Sequence, residues 1–548
     1  MNPDPNLLDL FINWEKEAPD KPFLNEPVFG NYKTFTWGHA GNQVRKMANY
    51  LVSLGLPPKS HIAILGKNSA HWIMADLAIM MAGYVSIPLY PNLTSEQLKL
   101  ILEHSESRLL FVGKLDQFGE LKKGIPENLP CISFPFYPHT GYSTWDDLIK
   151  DQEVADFPPR NNDDLYCILY TSGTTGTPKG VMHTFGNFAF ALKGIKEVVD
   201  LKDETFFSYL PLCHVAEKMV IESASLLSGG EVFFAESIDS FAKDLAYAKP
   251  TLFLAVPRLW TKFQESILAK LPQTRLDLLL SIPVINAIIK NSIRKKLGLT
   301  RARIIFSGAA PISPTLLEWF KRLGINIQEA YGMTENLSYS HFNRPGSIRI
   351  GSVGQALPRC EVKISEQSEV LVKSGATMKG YFKDQEQTKE MITADGFLKT
   401  GDEGRIDDEG FLYITGRVKD IFKTSKGKYI APAPIEKMIM SYELVSQVCV
   451  VGPGLPQPIA LITIPGGNAT DQQEKVIDHF KIILDECNKK LAIHEQLRKI
   501  VLFREEWTVG DILTPSLKIK RRSVEAIYGA RFESWYEEAQ DVIFGGGN

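Results

Sequence analysis

The chain has 548 residues, with 61 Lys and Arg against 64 Asp and Glu, and 44% of its residues are hydrophobic. This length exceeds what one hydrophobic core normally serves, so we expect several domain-sized units in an ordinary soluble globular protein. A net charge of −3 excludes a globally basic chain that coats nucleic acid, and no nucleic-acid partner is expected. The six cysteines are widely spaced and form no CxxC pair, which argues against a disulfide framework or a structural zinc site and favours a reducing cytoplasm.

Neither the N-terminus nor the most apolar stretch indicates membrane targeting. The N-terminus is acidic and interrupted by prolines, and it lacks the basic segment and apolar core of a signal peptide. The apolar stretch from Trp72 to Tyr90 contains Asp76 and is interrupted by Gly83 and Pro88. We therefore predict a buried helix and a strand there, in a cytoplasmic protein.

Along the first part of the chain, helical spacing alternates with short β-branched runs. A helical pattern ends at a glycine at 41–55, a strand-like run occupies 61–66, and a helix at 72–83 precedes another strand. The strand-like runs recur at 251–256, 303–307 and 325–329. This alternation predicts an α/β fold with largely parallel sheets.

From about Gly351 the pattern changes to short strands and turns, which predicts a β-rich subdomain over about 351–417. A small unit follows, with a long amphipathic helix near 472–491 and a strand at 500–503. We place a domain boundary between Arg417 and Asp420. The prediction is a large N-terminal domain over 1–417 and a small α+β C-terminal domain over 418–548.

The clearest chemical motif is YTSGTTGTPKG, from Tyr170 to Gly180. It follows a strand-like run and precedes a helix-like stretch. Its glycines let backbone N–H groups approach an anion, its Ser and Thr hydroxyls add donors, and Lys179 adds a positive charge. It does not match GxxxxGK[ST], because Lys179 is followed by glycine. The motif favours binding of a nucleotide triphosphate; the alternative is a flexible surface loop rich in Ser, Thr and Gly.

This motif resembles the signature of the adenylate-forming superfamily, which includes acyl-CoA synthetases, luciferases and nonribosomal peptide adenylation domains. The segment YGMTE (331–335), the segment TGDEGRIDDEGFLYITGRVKD (400–420) and Lys518 follow in the family's order and spacing. The resemblance covers about residues 30 to 530. It implies a large N-terminal domain and a small mobile C-terminal domain.

The resemblance also implies a reaction in two halves, with ATP, Mg²⁺ and CoA as cofactors or co-substrates. A carboxylate attacks the α-phosphorus of ATP, and a thiol then attacks the carbonyl of the acyl-adenylate. Lys518, Glu335 and Lys179 would be catalytic. The nucleotide would contact a set of residues spread over the chain: Thr171, Ser172, Gly173, Thr174, Thr175, Gly176, Gly308, Ala309, Glu329, Ala330, Tyr331, Thr334, Asp402, Arg417, Lys419 and Lys423.

Within that set the resemblance implies individual roles. Thr171 and Glu335 would bind Mg²⁺, for which hydroxyl and carboxylate oxygens are suitable ligands. Tyr331 would stack on the adenine, with the backbone of Gly308, Ala309 and Glu329 along its edge. Asp402 would accept hydrogen bonds from the ribose hydroxyls, and Arg417 would support the ribose and phosphates.

Lys518 would bridge the attacking carboxylate and the α-phosphate, a role that suits a mobile point charge on a long stem. The residue before the family's lysine is commonly glycine, whereas this chain has Leu517. Lys520 is therefore a rival, and a solvated basic patch with Arg521 and Arg522 is the structural alternative.

Lys419 falls at the family's hinge. A rotation there would withdraw Lys518 and bring in the loop from Thr424 to Pro432 to shape the thiol-binding tunnel. The alternative is an exposed lysine in a solvated loop. Many relatives also have a histidine where this chain has Phe185, so no role is expected for a histidine at that position.

Three segments resemble the long-chain fatty acyl-CoA synthetase branch: SYLPLCHVAEK (208–218), VPRLWTKF (256–263) and SGAAPISP (307–314). His214, in the first of them, would lie near the acyl or carboxylate site, or would be a packed core histidine. Fatty acid and CoA are the expected partners, and no stable protein partner is implied.

The segment 276–303 combines mostly apolar residues at 278–289 with a basic end. It is too short to span a bilayer. We favour an insertion helix packed on the core, and the alternative is an interfacial helix that makes a peripheral contact with the inner face of the membrane.

The sequence therefore predicts an ATP-dependent, AMP-forming fatty acid–CoA ligase. One alternative is a fatty acyl-AMP ligase that passes its product to a carrier protein. Another is a non-catalytic nucleotide- or acyl-binding protein on the same scaffold. Acyl chain length, oligomeric state and pathway stay open at this point.

Overall fold

The structure of the chain is a computed structural model that describes residues 5–137, 141–171, 178–442, 444–464, 473–514 and 518–546. The strands, numbered along the chain, are β1 Pro22–Val28, β2 Asn31–Thr36, β3 His61–Leu65, β4 Val85–Leu89, β5 Ser107–Val112, β6 Cys131–Ser133, β7 Ser143–Thr144, β8 Leu165–Thr171, β9 Lys179–Thr184, β10 Thr205–Ser208, β11 Glu231–Phe234, β12 Leu252–Ala255, β13 Ile304–Ser307, β14 Gln328–Tyr331, β15 His341–Phe342, β16 Gln355–Ala356, β17 Glu361–Ile364, β18 Glu369–Lys373, β19 Gly380–Tyr381, β20 Leu398–Ile406, β21 Leu412–Arg417, β22 Phe422–Lys423, β23 Tyr429–Ile430, β24 Gln447–Val451, β25 Ile459–Thr463, β26 Lys499–Phe503 and β27 Val542–Phe544.

The α-helices, numbered in the same way, are α1 Leu7–Glu17, α2 Trp37–Ser53, α3 Ala70–Met81, α4 Ser95–His104, α5 Phe118–Leu121, α6 Trp145–Ile149, α7 Phe185–Val198, α8 Val215–Glu217, α9 Ala224–Ser228, α10 Phe241–Ala248, α11 Pro257–Lys270, α12 Gln273–Ser281, α13 Pro283–Lys296, α14 Pro314–Arg322, α15 Gln385–Met391, α16 Pro432–Ile439, α17 Gln473–Asn488, α18 Arg521–Tyr528 and α19 Phe532–Glu537. A π-helical turn over Lys218–Ser223 joins α8 to α9.

One sheet of the large N-terminal part has the order β10-β11-β1-β2, in which β10, β11 and β1 are parallel and β2 is antiparallel. Two further sheets contain most of the remaining parallel strands. The larger has the order β19-β9-β8-β4-β3-β5-β6-β7 and is parallel from β8 to β7. The other begins with the parallel strands β12, β13 and β14 and continues antiparallel through β15 and β16. The buried helix α3 begins at its N-cap Ser69, whose side chain accepts from the N–H of Trp72, and it is buried along its whole length. The predicted α/β fold with parallel-rich sheets is observed.

The predicted strand at 325–329 is displaced, because the observed β14 covers Gln328–Tyr331. Ile325 and Ile327 are buried beneath the sheet and pack with Trp319 and Phe320 of α14. An apolar segment that packs beneath a sheet has the same composition as a buried strand. The sequence pattern alone therefore did not distinguish a packed segment from a strand at 325–327.

The phosphate motif does not precede a helix directly, and that expectation was wrong. β8 and β9 are antiparallel neighbours, and Thr171 pairs with Lys179 across the ends of the motif. The helix α7 begins only after β9 ends, at Phe185. The motif therefore connects two strands of a hairpin, and α7 does not begin at its end.

A short antiparallel sheet, β17-β18-β20-β21, forms the predicted β-rich region. The C-terminal part has its own sheet, β24-β25-β26-β27, whose apolar faces form separate hydrophobic clusters. The short 3₁₀ helix Val418–Asp420 links the two parts. No helix in the described residues is long and apolar enough to cross a membrane.

A fully buried ionic cluster lies in the N-terminal core. The Nζ atom of Lys218 is 2.8 Å from Oδ2 of Asp76 and 2.8 Å from Oε2 of Glu222, and all three side chains are inaccessible to solvent. The hydroxyl of Tyr166 donates to the same Asp76 oxygen at 2.5 Å. Burial and repulsion from Asp76 raise the pKa of Glu222. The cluster therefore contains one ion pair and one neutral acid, which limits the cost of burying it.

Candidate functional site

Tyr331, Asp402 and Arg417 meet at one point although they come from three strands. The Tyr331 hydroxyl donates to Oδ2 of Asp402 at 2.6 Å, and Nε of Arg417 lies 2.8 Å from Oδ1 of the same carboxylate. Asp402 is 6% exposed, whereas the Arg417 side chain is 51% exposed. β20 and β21 are adjacent, and Asp402 pairs with Arg417 in their register. The carboxylate is thus oriented from both sides, while the guanidinium still faces the solvent.

The loop after β13 passes close to β14. A Cβ atom on Gly308 would lie 3.2 Å from the carbonyl oxygen of Ala330, and Ala309 has the left-handed φ of +67°. A non-glycine residue in that region stores strain that surrounding contacts must stabilise. Both residues lie at the C-terminal end of a parallel strand, where ligands of open α/β sheets bind.

Glu329 lies beside this loop and is buried. Its Oε2 atom accepts from the N–H of Gly351 at 3.0 Å. Burial raises the pKa of Glu329 to about 7, although Lys437 of the C-terminal part and the Gly351 hydrogen bond oppose the shift. Its backbone carbonyl accepts from the N–H of Asn343, so the backbone of Glu329 is already engaged within the protein.

Glu335, Tyr381 and Lys179 form a second group next to the ends of the phosphate motif. The Tyr381 hydroxyl donates to Oε1 of Glu335 at 2.7 Å, and Nζ of Lys179 lies 5.7 Å from the centre of the Tyr381 ring. Desolvation and repulsion from Lys419 lower the pKa of Lys179, against attraction from carboxylates that include Glu335. Lys179 and Lys419 are thus close enough to repel each other electrostatically.

Thr171 is the last residue of β8. The other predicted residues of the phosphate motif, Ser172, Gly173, Thr174, Thr175 and Gly176, lie outside the described residues. Their predicted contacts with phosphate stay predictions.

Sequence reasoning missed His183 and Tyr381. His183 is buried on β9, its Nε2–H donates to the carbonyl of Thr334 at 2.8 Å, and burial lowers its pKa to about 4. It holds the turn that presents Glu335. Two residues further along the chain, where many relatives have a histidine, Phe185 packs on Tyr166 with ring centres 5.2 Å apart. The strand pattern of residues 179–184, with an isolated histidine, was the available signal.

Lys518 reaches the N-terminal site from the C-terminal part. Desolvation and repulsion from Arg417 lower its pKa, and Asp402 and Glu335 oppose that shift. Lys518 is nevertheless exposed to solvent, so it lies in an open cleft between the two parts and not in a dry core. Lys518 also lowers the pKa of His214, which burial brings to about 4. His214 is half-buried and caps α8 by accepting from the N–H of Ala216 at 3.2 Å.

Lys520 is placed differently. Its Nζ donates to the carbonyl of Gly510 at 2.7 Å, and this contact is internal to the C-terminal part. The neighbouring Arg521 is also engaged there, since its Nη2 lies 2.5 Å from Oε1 of Glu436. The geometry therefore favours Lys518 over Lys520 as the lysine that faces the cleft.

Two further predicted residues lie in the link and just beyond it. Lys419 is in the 3₁₀ helix, and Nζ of Lys423 lies 5.6 Å from the centre of the Tyr429 ring. Lys423 thus packs within its own two-stranded ribbon, β22–β23. Lys419 has the position that a pivot between the two parts requires.

The donor set suits a magnesium ion that is shared with phosphates. The described residues contain no cluster of three or more His, Cys, Asp or Glu side chains that could enclose a metal. Glu335 and Thr171 supply one carboxylate and one hydroxyl. Mg²⁺ is commonly held by one or two protein oxygens together with water and substrate phosphates, so these residues fit that ion.

Two family descriptions match the chain. The AMP-binding enzyme family matches residues 11–382, and the AMP-binding enzyme C-terminal domain matches residues 419–540. Among relatives, a long-chain-fatty-acid–CoA ligase of Mycobacterium bovis is 29% identical over 97% of this chain and 97% of its own length. Long-chain-fatty-acid–CoA ligase 6 of Rattus norvegicus is 31% identical over 87% of this chain and 78% of its own length.

Solved structures share the fold. The adenylation domain of a carboxylate reductase from Mycobacterium chelonae superposes with a TM-score of 0.84 at 22% identity, covering 98% of this chain and 92% of that one. The anthranilate CoA ligase AuaEII, in complex with anthranoyl-AMP, gives a TM-score of 0.79 at 22% identity, covering 96% and 98%. These likenesses confirm the α/β fold with a larger N-terminal and a smaller C-terminal domain.

Proposed function

Because this chain belongs to the AMP-binding enzyme family, we propose that it is an AMP-forming ligase that joins a long-chain fatty acid to CoA. The observation that carries the proposal is the approach of Lys518, from the C-terminal domain, to Asp402, Glu335 and His214 of the N-terminal domain. A non-catalytic binding protein would not need a cation from a second domain at this place.

In the first half-reaction the chain's residues position two anions against each other. Asp402, which is oriented by Tyr331 and Arg417, accepts hydrogen bonds from the ribose hydroxyls and so positions the sugar. Lys518 bridges the fatty acid carboxylate and the α-phosphate, so that their mutual repulsion falls as the carboxylate oxygen attacks phosphorus. The new bond is the mixed anhydride of acyl-AMP, and pyrophosphate leaves.

Thr171 and Glu335 would hold Mg²⁺, which neutralises charge on the phosphates when it is bound. Tyr381 orients the Glu335 carboxylate by its hydrogen bond to Oε1. Lys179 adds a further positive charge beside the same group, and burial is the main cause of its lowered pKa, with a smaller contribution from repulsion by Lys419.

For the second half-reaction Lys518 must leave the carbonyl so that the CoA sulfur can attack it, with AMP as leaving group. We infer that the C-terminal domain, 418–548, turns about Lys419 and replaces Lys518 by the loop from Thr424 to Pro432. The 3₁₀ helix that contains Lys419 separates two independently packed cores, and this arrangement permits a rotation without disrupting either.

The fatty acid specificity is supported by the names of the relatives, several of which are long-chain acyl-CoA ligases or synthetases. His214 is neutral at physiological pH because its pKa is near 4. A neutral imidazole near Lys518 adds no charge that would compete with Lys518 for the substrate carboxylate.

The test is to incubate the full chain with ATP, Mg²⁺, CoA and a series of acids from acetate to long-chain fatty acids. We expect AMP, pyrophosphate and acyl-CoA in equal amounts, with the highest kcat/KM for long chains. Acyl-AMP that accumulates without thioester, whatever the concentration of CoA, would indicate a ligase that serves a carrier protein. No pyrophosphate with any acid would refute catalysis.

A further inference from the structure

The helical hairpin α12–α13 exposes a group of aliphatic side chains at its tip. Leu278, Ile282, Val284 and Ile288 are 64%, 41%, 74% and 62% exposed. All residues from Ser281 to Val284, at the turn, are exposed, so the tip projects from the body of the N-terminal domain. We call these four side chains the apolar tip.

The opposite face of the hairpin is packed. Leu276 is 1% exposed and Ile293 is 7% exposed, and both belong to the cluster that contains Trp260 and Phe320. The favoured expectation, an insertion helix packed on the core, is therefore correct for one face of α13. The other face carries Val284 and Ile288, which are four residues apart and lie on one side of the helix.

Positive charge is concentrated in the hairpin and its flanking segments, mostly away from the apolar tip, and one of these charges, Arg303, is paired with Glu204. Residues 270–303 contain eight Lys or Arg residues and one acidic residue, Asp277, in a protein whose net charge is −3. The single carboxylate is engaged by Arg322 from α14. Arg275, Lys295 and Lys296 are exposed, and no carboxylate of the described residues pairs with them.

The basic residues and the apolar tip are separated along the axis of α13. Lys295 follows Ile288 by two helical turns on the same face, which places it about 10 Å further from the tip along the helix axis. Interfacial helices bury apolar residues about 5–10 Å into the boundary between headgroups and acyl chains, while their basic residues meet anionic headgroups. The spacing of the apolar tip and the lysines corresponds to that depth.

We propose that this hairpin docks the protein on an anionic lipid bilayer, with the apolar tip inserted among the acyl chains and Lys295 and Lys296 at the phosphates. A protein partner is disfavoured, because cores of protein interfaces are depleted in lysine. The surface is separate from the nucleotide site, so the proposal does not depend on the proposed ligase activity.

The test is co-sedimentation of the full chain with vesicles of phosphatidylcholine alone and of phosphatidylcholine mixed with phosphatidylglycerol, without ATP or substrate. We expect binding to the anionic vesicles that weakens at high salt. Val284→Ser/Ile288→Ser should weaken it by roughly tenfold or more through lost apolar burial. Lys295→Gln/Lys296→Gln should weaken it by roughly tenfold and reduce its salt dependence.

Ile493→Ser is the matched control, because Ile493 is 84% exposed and lies on the C-terminal domain; it should bind as the unaltered chain does. Thermal unfolding of each variant shows that it is folded. Equal binding by the Val284→Ser/Ile288→Ser variant and the unaltered chain overturns the proposal, as does equal binding to neutral and anionic vesicles. Sedimentation velocity that shows a dimer lost on Val284→Ser/Ile288→Ser would assign the surface to a second copy and equally overturn it.

Discussion

Arg258 and Glu506 form an ion pair across the two domains, between Nη2 of the arginine on α11 and Oε2 of the glutamate. The other carboxylate oxygen accepts from the Ser446 hydroxyl at 2.6 Å. Burial opposes ionisation of Glu506, but the Ser446 hydrogen bond and the charges of Arg258 and Lys262 outweigh it and lower its pKa. The pair joins the domains in the arrangement that places Lys518 in the cleft.

Removing this pair should slow adenylation and spare thioester formation. Both side chains are about one-third exposed, so the contribution is that of a screened surface pair, about 0.2–1 kcal/mol. We expect Glu506→Gln to lower the rate of pyrophosphate release by roughly one and a half- to fivefold. The rate of acyl-CoA formation from supplied acyl-AMP should stay the same or rise.

The control is Lys21→Gln, which removes an ion pair with Asp203 within the N-terminal domain and should change neither rate. The charge exchange Arg258→Glu/Glu506→Arg should restore part of the adenylation rate. Equal slowing of both half-reactions by Glu506→Gln would show that the pair stabilises the protein without selecting one arrangement.

Covalent closure at the same contact tests the rotation itself. A chain with Arg258→Cys and Glu506→Cys can be joined by a short bifunctional thiol reagent that a reductant cleaves. We expect the joined protein to form acyl-AMP and pyrophosphate but to transfer no acyl group to CoA, because Lys518 cannot leave the carbonyl. Reduction should recover the transfer.

Each single-cysteine variant, treated in the same way, controls for reaction at the native cysteines. If the joined protein makes acyl-CoA at the normal rate, rotation about Lys419 is unnecessary. Lys419→Pro would test the rotation less specifically, because proline disfavours the helical conformation of the residue before it. That residue is Val418, in the same 3₁₀ helix, so the variant would also change the structure of the link.

Lys518→Ala should abolish most adenylation yet retain conversion of supplied acyl-AMP to acyl-CoA. Its charge is needed only where two anions approach each other. Lys520→Ala should keep adenylation near the normal rate, because Nζ of Lys520 is bound to the carbonyl of Gly510. Pyrophosphate release and thioester formation are measured separately for both; inactivity of Lys520→Ala with an active Lys518→Ala would reverse the assignment.

Glu335→Gln should lower Mg²⁺-dependent turnover on the order of a hundredfold, because it removes the charge of a ligand beside the phosphates. Tyr381→Phe keeps that carboxylate but removes the hydrogen bond to Oε1, so we expect a loss of only severalfold. Turnover is measured as a function of Mg²⁺ concentration. An unchanged rate of Glu335→Gln at limiting Mg²⁺ would mean that the residue has a structural role only.

Glu217 should make the protein less stable as the pH rises. Burial raises its pKa to about 8, against hydrogen bonds from Ser208 and from the backbone of Tyr209. The stabilisation is therefore complete below the unfolded value of about 4.5 and is lost as the pH rises to about 8. Between those values unfolding releases this proton, and the free energy of unfolding falls by about 1.4 kcal/mol per pH unit.

Glu217→Gln resembles the protonated acid in shape, so its stability should fall less steeply between pH 5 and 8, within the interval set by the two values of Glu217. Denaturant unfolding at several pH values measures the slope. The exposed Glu318 provides the control, since Glu318→Gln should leave the slope unchanged. Parallel curves for the unaltered chain and Glu217→Gln would contradict an acid that is protonated in the folded protein.

The sequence predicted the alternation of helices and strands, and the resemblance indicated Tyr331, Asp402 and Arg417, whose side chains are in contact in the structure. Tyr331, Asp402 and Arg417 lie in short motifs whose spacing is local, and the sheet brings these motifs together. The β8–β9 hairpin was missed, because a strand of six residues before a helix carries little periodicity of its own.

Contacts between distant segments left no sequence pattern to follow. Nothing near Arg258 or Glu506 indicates that they meet, since they are 248 residues apart. The role of Tyr381 was hidden for the same reason. Spacing in the sequence likewise did not decide whether Lys518 or Lys520 faces the nucleotide site. The directions of the two side chains in the structure distinguish them.

The buried cluster of Asp76, Lys218 and Glu222 also constrains how this protein can diverge. Losing Lys218 alone would leave two buried acids facing each other without a counter-charge, at a cost of about 3–5 kcal/mol. Losing Asp76 alone would remove the repulsion that raises the pKa of Glu222 and would let Glu222 pair with Lys218. The dependence of both acids on Lys218 therefore links positions that are far apart in the sequence, since Asp76 and Lys218 are 142 residues apart. Descendants of this chain can exchange the set for apolar residues only together, so these positions should be inherited as a unit.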